Sequence, residues 1–526
     1  MNVRLSRAIV LTMSATFLHA GPVFVQVIGG VSADYAYSVD FQLDGGLAVA
    51  GYTGSYGTGN YDALLCRFDP GGSLLWTKTL GGSSADQAYD LVVMPCGSMV
   101  ICGGTGSFGA VSTDFLVARF SPTGSLRWTK VFGGIGIDYG YSICDAGDNG
   151  IVIAGSSSSY GAGGYDFLVM RLDSAGGVKW VTSVGGTNND YAYAVMKEVD
   201  GFTVVGTTYS FGVGGSDLMV TRLDPDGNQV WTWTAGGPGN ENGYAVASDG
   251  QTGYTVIGST TSYGAGGEDI LLIQVQVDTY RVVPDTPVAM YVMGGSGDER
   301  GYSASWQGNR IFVAGPVAVS GGNWEFGLVR YDLGTESAPA FLIRYSDEEK
   351  AMSVAKDDGY AVAGYTRSQG AGDYDLMVAR YDTAGITCIV DTVTLMVYDS
   401  TPPVTVQSAT ASHPSPTVIS PSGMVTSPSP AVDTLCFVGT GESGVPGQAF
   451  LRARADLVAF YLPGAMDARL SVFDVSGRLV ARPVDGRLGA GEHELIMRGL
   501  VPGVYFLELK AGADPGLVLR AKTVIR

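Results

Sequence analysis

One block of about fifty residues recurs along this chain, and a period of that length limits the fold to repeat architectures. Tyr37, Tyr89, Tyr141 and Tyr193 stand 52 residues apart in matching surroundings, Tyr244 and Tyr302 continue the series, and Met352 holds the same place in a seventh copy. Each copy reads as a Gly-Gly loop, Asp-Tyr-Ala-Tyr, an apolar run, Gly-Tyr-Thr, a Tyr-Gly-x-Gly loop ending in Tyr-Asp, a second apolar run, an Asp-Pro-Gly-Gly turn and Trp-Thr-Lys.

The third copy shows what the block folds into. Strands are predicted at 141–143, 150–155, 166–172 and 178–183. The second and third are apolar on both faces, as in a strand sandwiched between layers, whereas the fourth alternates with Lys and Thr and wets one face. Asp69-Pro70-Gly71-Gly72 and Asp224-Pro225-Asp226-Gly227 carry the residue order of a type I turn followed by a positive-φ glycine. Four antiparallel strands per unit predict a β-propeller blade. The expected fold is all-β: a seven-bladed β-propeller of four-stranded blades over 21–395, followed by a small immunoglobulin-like β-sandwich over 450–526. The stretch Phe24-Val25-Gln26-Val27-Ile28-Gly29-Gly30 aligns with Trp76-Thr77-Lys78-Thr79-Leu80-Gly81-Gly82, the fourth strand of copy one. Residues 23–28 are therefore expected to complete the last blade as its outermost strand, with 386–390 as the competing candidate. Between the two domains, 20 of the 31 residues from Ser400 to Pro430 are Ser, Thr or Pro. That composition buries no core of its own, so 396–449 is expected to be a linker, open to O-glycosylation.

Of the formal net charge of −19, residues 450–526 contribute 11 basic and 8 acidic side chains, which leaves −22 on the first 449. A field of that sign repels phosphate backbones and excludes nucleic acid as a partner. At the N-terminus, Arg4 and Arg7 precede an apolar stretch from Ala8 to Leu18, and Ala20 suits cleavage, so 1–20 is expected to be a secretory signal peptide. The six cysteines match no metal motif. Cys66 and Cys102 fall inside apolar strands and read as small core residues. Cys388 and Cys436 flank the linker and are the candidate bridge, with Cys96 and Cys102 as another pairing.

Two resemblances follow from particular residues. The repeats over roughly 23–393 resemble secreted bacterial β-propeller repeats of the form Gly-Gly-x-x-x-Asp-x-Gly/Ala-Tyr…Trp-Thr-Lys, a likeness that implies fold and little else. In the tail, Asp474-Val475-Ser476-Gly477-Arg478, Gly491-Glu492-His493, Pro502-Gly503-Val504-Tyr505 and Lys522-Thr523-Val524-Ile525-Arg526 resemble the C-terminal sorting domain of type IX secretion, related to the immunoglobulin-like module of flagellar hook-capping proteins. That resemblance implies a surface read by the type IX secretion machinery, with Asp474, Gly477, Arg478, Gly503, Tyr505 and Lys522 as its marker residues, and a protein secreted or held at the outer-membrane surface of a Gram-negative bacterium.

Chemistry is scarcer. The three histidines, His19, His413 and His493, all lie outside the repeats. A His-based catalytic unit or a His-ligated metal cannot be built there, and the chain is expected to be non-enzymatic. The alternative is an exported carbohydrate-active enzyme working through carboxylates. Copy six deviates most, with Trp306, Trp324 and Glu325, and is where unmatched polar residues of an enzyme are expected. Two carboxylates recur: Asp34, Asp86, Asp138, Asp190, Glu241, Glu299 and Glu349 before the first strand, and Asp62, Asp114, Asp166, Asp217, Asp269, Glu325 and Asp375 after the second loop. They read either as acceptors that fix Gly-rich loops or as an acidic rim for Ca²⁺ or a cationic partner. No cofactor is expected beyond that calcium alternative. The candidate binding rim, for an unidentified protein or glycan ligand, pairs these acids with loop aromatics: Tyr56, Asp62, Phe108, Asp114, Tyr160, Asp166, Phe211, Asp217, Tyr263 and Asp269. The recurring Trp76, Trp128, Trp180 and Trp231 are expected to pack between blades.

Overall fold

The structure is a computed structural model. It describes residues 23–526 apart from 110–111, 251–252, 278–284, 319–322, 345, 358, 371, 382–390, 401–403, 408–409, 413–416, 420–423, 427–430, 439–449, 455–456, 463–465, 475–477, 489–490, 497–502, 512–516 and 526. The expected signal peptide, Cys388 and the 386–390 strand candidate lie outside the described residues, and Cys436 is described in its backbone only.

Among the described residues every regular element is a strand. In blade three the strands are Asp138–Asp145, Ile151–Ser157, Asp166–Leu172 and Val178–Gly185, paired in that order. The second is buried throughout and the third nearly so, while the fourth starts exposed, as the hydropathy pattern requires. The first strands touch one another in series, and that of blade seven, Glu349–Lys356, meets that of blade one, Asp34–Phe41, so seven blades close a ring around an axis lined by first strands. Apolar cores lie between blades. Val49, Leu64 and Cys66 of blade one, for example, pack on Ala361, Ala363, Leu376 and Val378 of blade seven. Cys66, Cys96, Cys102 and Cys144 are free thiols, which excludes a Cys96–Cys102 bridge in this structure, and Cys66 and Cys102 are buried core residues. The turns form as read: Gly72 and Gly227 donate to the Asp69 and Asp224 carbonyls at 3.0 Å each, with φ of 85° and 84°.

The N-terminal strand Val23–Gly29 pairs antiparallel with Asp375–Tyr381 and completes blade seven. It is not outermost, because Ala431–Val438 pairs along its other edge. That pairing belongs to a larger departure from expectation. The Ser/Thr/Pro-rich segment is no free spacer: it runs round the outside of the ring as a belt. Asp391–Ser400 pairs with the fourth strands of both blade six and blade five, joining them in one nine-stranded sheet. Val404–Gln407, Thr410–Ser412, Thr417–Ile419 and Met424–Thr426 then add a fifth strand to blades four, three, two and one, and Ala431–Val438 does so for blade seven. Composition misled because a belt bound by backbone hydrogen bonds needs no core of its own. Its residues Thr410, Thr417, Met424 and Ala431 all stand opposite the closing glycine of a fourth strand and are spaced seven residues apart. Seven extended residues reach about 23 Å.

The tail forms two antiparallel sheets, of three strands over Phe450–Arg454, Leu457–Leu462 and Gly491–Ile496, and of four over Met466–Asp474, Leu479–Leu488, Gly503–Ala511 and Leu517–Ile525. Its described buried apolar residues are Ala468, Leu470, Val472, Val484, Leu507 and Leu509.

Candidate functional site

The recurring carboxylates act inside the ring. Each closing glycine of a fourth strand is gripped between an acid of its own blade and an acid of the next. A Cβ on Gly81 would stand 1.9 Å from Asp62 Oδ1 and 2.9 Å from Asp86 Oδ2, and Gly133, Gly185, Gly236, Gly294 and Gly29 repeat the arrangement. The first-strand acids also accept from the Gly-rich loops, as Asp34 does from Gly30 N at 2.8 Å and from Ser55 Oγ at 2.7 Å. Asp62 Oδ2 accepts from Thr58 N and Gly59 N at 2.9 and 3.1 Å. Burial, opposed by hydrogen bonds from loop N–H groups and aided by a smaller push from a nearby acid, takes Asp166, Asp217 and Asp269 up to about 6 and Glu299 up to about 7. At the blade six–seven junction Arg344 follows Ile343, the partner of Phe326, where six other junctions have glycine.

The ten rim residues are thereby corrected. Asp62, Asp114, Asp166, Asp217 and Asp269 are only 1–2 % exposed, too buried to meet a ligand. Tyr56 and Tyr160 turn inward and donate to the carbonyls of Gly29 and Gly133 in the preceding blade at 2.6 and 2.7 Å, and Tyr263 reaches towards Gly236 in the same way. Phe108 and Phe211 pack on inter-blade cores. Among the described residues no group of three or more potential metal ligands occurs, so the calcium alternative has no cluster to rest on.

The opposite face is pinned by residues of two kinds. The indole N–H groups of Trp128 and Trp180 donate to Ser174 O and Pro225 O of the next blade at 3.1 and 3.0 Å, the inter-blade role expected of them. A third-strand arginine, which the sequence reading passed over, does the same: Arg119 reaches Asn149 O and Ser174 O, and Arg380 reaches Gly45 O. A cavity of about 360 Å³ opens beside Cys96, Arg119, Arg127 and Trp128.

The axis is different. In six blades the first strand slips register around its aromatic: Ala36 pairs with Gly51 and Ser38 with Ala50, which leaves Tyr37 as the extra residue of a β-bulge. The slips at 88/90, 140/142, 192/194, 243/245 and 351/353 are equivalent. A bulge re-aims its residue. Here it builds a ladder round the axis, with ring centroids 5.4 Å apart for Tyr37–Tyr89 and Tyr89–Tyr141, 5.3 Å for Tyr141–Tyr193, 5.5 Å for Tyr193–Tyr244 and 5.1 Å for Tyr244–Tyr302. Burial first, and the company of other phenols second, raises Tyr89, Tyr193 and Tyr244 and keeps them protonated.

Above this ladder lie the residues next in sequence to the buried acids, which alternation turns to the other face. After the first-strand acid they are Tyr35, Gln87, Tyr139, Tyr191, Asn242, Arg300 and Lys350; before the second acid they are Tyr61, Thr113, Tyr165, Ser216, Glu268, Trp324 and Tyr374. The acids barely vary around the ring and these neighbours do. Blades five to seven concentrate the charge. Arg300 Nε meets Glu268 Oε2 at 2.6 Å and its Nη1 meets the Tyr302 hydroxyl at 3.3 Å. The Arg300 guanidinium and the Lys350 ammonium lie 5.2 and 5.7 Å from the Trp324 ring. Lys350 pairs with Glu348, which also accepts from Tyr374 Oη at 3.0 Å. Burial opposes the Glu348 charge, yet the bonds from Lys350 and Tyr374 hold its carboxyl below the ordinary value. Tyr35 continues the band against Tyr374 and Tyr365, at 5.4 and 4.9 Å. Blade six adopts its own geometry here. Pro316 has no N–H to give the ladder, and the paired first strand starts only at Ser303. Of the residues singled out in copy six, Trp324 belongs to this band, Glu325 is buried at the junction, and Trp306 packs on the core between blades five and six.

Of the tail's marker residues, Asp474 and Arg478 close a turn. Arg478 N and Nε donate to the Asp474 carboxylate at 3.1 and 3.0 Å, and Asp474 N donates to Arg478 O at 2.9 Å. Gly477 lies outside the described residues. Gly503 and Tyr505 pair with Ile525 and Thr523, and Lys522 with Phe506, with their side chains outside the described set.

Fold and axis together define a closed seven-bladed propeller with an aromatic, charge-bearing mouth, joined to a β-sandwich. A profile described as a β-propeller domain of unknown function (DUF5122) matches residues 146–177. The Regulatory protein FlaEY of Caulobacter vibrioides is 26% identical over 225 residues, covering 40% of this chain and 21% of that protein, so the match spans about a fifth of the relative's length. Among solved structures, a domain described as the extracellular part of a one-component system of B. thetaiotaomicron aligns with a TM-score of 0.39 at 10% identity, over 94% of this chain and 58% of that one. PorZ, a surface component of the type IX secretion system of Porphyromonas gingivalis, aligns with a TM-score of 0.19 at 8% identity, over 96% and 100%. No residue role is carried over from any of them.

Proposed function

We propose that this chain is an exported, non-enzymatic binding protein that receives its ligand at the axial mouth and is carried across the outer membrane by its C-terminal sandwich. The observation that carries the reading is the chain's internal comparison. Blades one to four fold with Tyr, Gln, Thr and Ser at the mouth positions, so the ring does not need the charges that blades five to seven place there. Partly buried ion pairs contribute little net stability, and their confinement to one sector of a channel mouth suits recognition. A catalytic carboxyl pair needs one member that holds a proton. Glu268 and Glu348 are each tied to a cation, and the raised Glu299 is buried under Gly295, away from the mouth. The export half of the reading rests on the signal-like residues 1–20, on the tail's resemblance to type IX sorting domains and on the Asp474–Arg478 turn. It makes the type IX machinery a partner and places the protein at the surface or in the medium. The test is export from a host with type IX secretion. Full-length protein is expected outside the cell, and a chain ending at residue 449 is expected in the periplasm with its propeller and belt folded. Equal export of both would overturn the sorting role.

A further inference from the structure

We infer that the ligand of the axial mouth is a neutral oligosaccharide, held by the band Tyr35–Tyr374–Glu348–Lys350–Trp324–Arg300–Glu268. This rests on the binding reading above and gives it a ligand class. Three features of the band point there. First, it offers flat faces. Tyr35, Tyr374 and Trp324 are half-buried and border the channel, and aromatic faces take the C–H side of a sugar ring with the polar edge left free for hydroxyls. Second, between those faces stand donors and acceptors already fixed in direction. Arg300 spends Nε on Glu268 and Nη1 on Tyr302, and no bond of its Nη2 occurs among the described residues. Ionised groups held in place make strong hydrogen bonds to hydroxyls, and a pre-paired guanidinium and carboxylate lose little entropy when a ligand arrives. The side chains keep access to solvent, at 34% for Arg300, 13% for Glu268, 24% for Lys350 and 23% for Glu348.

Third, charge selects against acidic saccharides. The two cations of the band are matched one for one by Glu268 and Glu348. Beyond them, Arg367 is shared by Asp347 and Asp373 at 3.8 and 3.3 Å, and Asp298 lies behind Glu268, whose N–H it accepts at 3.0 Å. With −22 on the first 449 residues, an anionic ligand meets repulsion at long range and no spare cation at short range. A neutral polyol is charged no such penalty.

The experiment is an oligosaccharide array carrying neutral and uronic-acid- or sulfate-bearing members, probed with the full chain, followed by titration calorimetry with one neutral binder. Arg300→Lys and Glu268→Gln keep the bulk of the band and are expected to raise Kd at least about tenfold, the value of one well-placed hydrogen bond. Trp324→Phe is expected to weaken binding less. Leu43→Ala, at an exposed turn remote from the band, is expected to bind as the parent does. Melting curves of each variant separate lost binding from lost fold. Preferential capture of acidic saccharides, or neutral binding unchanged in both Arg300→Lys and Glu268→Gln, would overturn the inference. A blank array, with a protein partner whose capture is lost in the same variants, would overturn the glycan assignment and leave the binding reading standing.

Discussion

At the scale of single residues, the glycines and acids show how repetition hides function. The second-strand glycine is fixed by the bulge: a Cβ on Gly206 would lie 1.9 Å from the Tyr191 carbonyl oxygen, and Gly51, Gly103, Gly155, Gly258 and Gly364 face the same obstacle. Backbone cannot yield as a flexible side chain can, so Gly206→Ala is expected to destabilise by about 3 kcal/mol or more. Gly45, with φ of 80° and nothing within 4 Å, meets only a backbone penalty, and Gly45→Ala is expected to cost about 1 kcal/mol. Urea melts of the two variants check the contrast, and equal losses would dismiss the bulge as the cause. The buried acids set the pH response. Asp166, Asp217, Asp269 and Glu299 are raised in the folded protein, so the native state binds more protons than the unfolded chain between their ordinary values and about 6 to 7. Stability from this source is complete below about pH 4 and is lost as pH rises through 6 to 7. The lowered acids Asp148 and Glu348 work in the opposite sense and only at the acid end. The melting temperature is therefore expected to be higher near about pH 5 than near about pH 8. Scanning calorimetry across that range decides it, and a Tm that climbs towards pH 8 would contradict the assignment.

At the scale of elements, the belt is the piece with most to test. Its strands are three or four residues long on blades one to four, and a backbone hydrogen bond nets about 1 kcal/mol against a similar cost for ordering each residue. No single step holds by itself, so the belt is expected to be the least protected part of the propeller. Amides of Thr417–Ile419 and Met424–Thr426 should exchange hydrogen well before those of Asp114–Phe120. A chain ending at residue 390 should keep its blades but melt several degrees below one ending at 449, and identical Tm values would show that the belt does not stabilise the ring. Elements differed in how far the sequence revealed them. The third strand of blade three was read at its true limits, 166–172, because its two buried faces give an unbroken apolar run. The bulges were invisible, since one extra residue leaves the strand's composition unchanged. The belt was visible only to a reader seeking a seven-residue period within Ser, Thr and Pro. The mouth was passed over, Trp324 apart, because attention to what repeats falls on the buried acid and misses the variable residue beside it.

At the scale of the whole molecule, both ends of the described propeller meet at one place. Val23–Gly29 lies between Asp375–Tyr381 on the inside and Ala431–Val438 on the outside, so one strand closes the ring and also anchors the last turn of the belt. Its side chains are core. Phe24, Val25, Val27 and Ile28 are at most 2% exposed, and Phe24 also covers Gly72 in the turn of blade one. Fully burying each such side chain stabilises by about 1.5–3 kcal/mol, so the four together approach the whole net stability of an ordinary domain, about 5–15 kcal/mol. Removing the strand also exposes two long edges, and unpaired edges invite association. Deleting residues 23–29 is therefore expected to lower the melting transition of the entire propeller as one cooperative unit and to make the protein prone to aggregate. Phe24→Ala, which keeps the backbone pairing, should cost about 3–5 kcal/mol without aggregation. Calorimetry of the three proteins separates closure from mere packing. If the deletion leaves the main transition in place and removes only a minor early one, blade seven is complete without the N-terminal strand, and the ring is closed by other means.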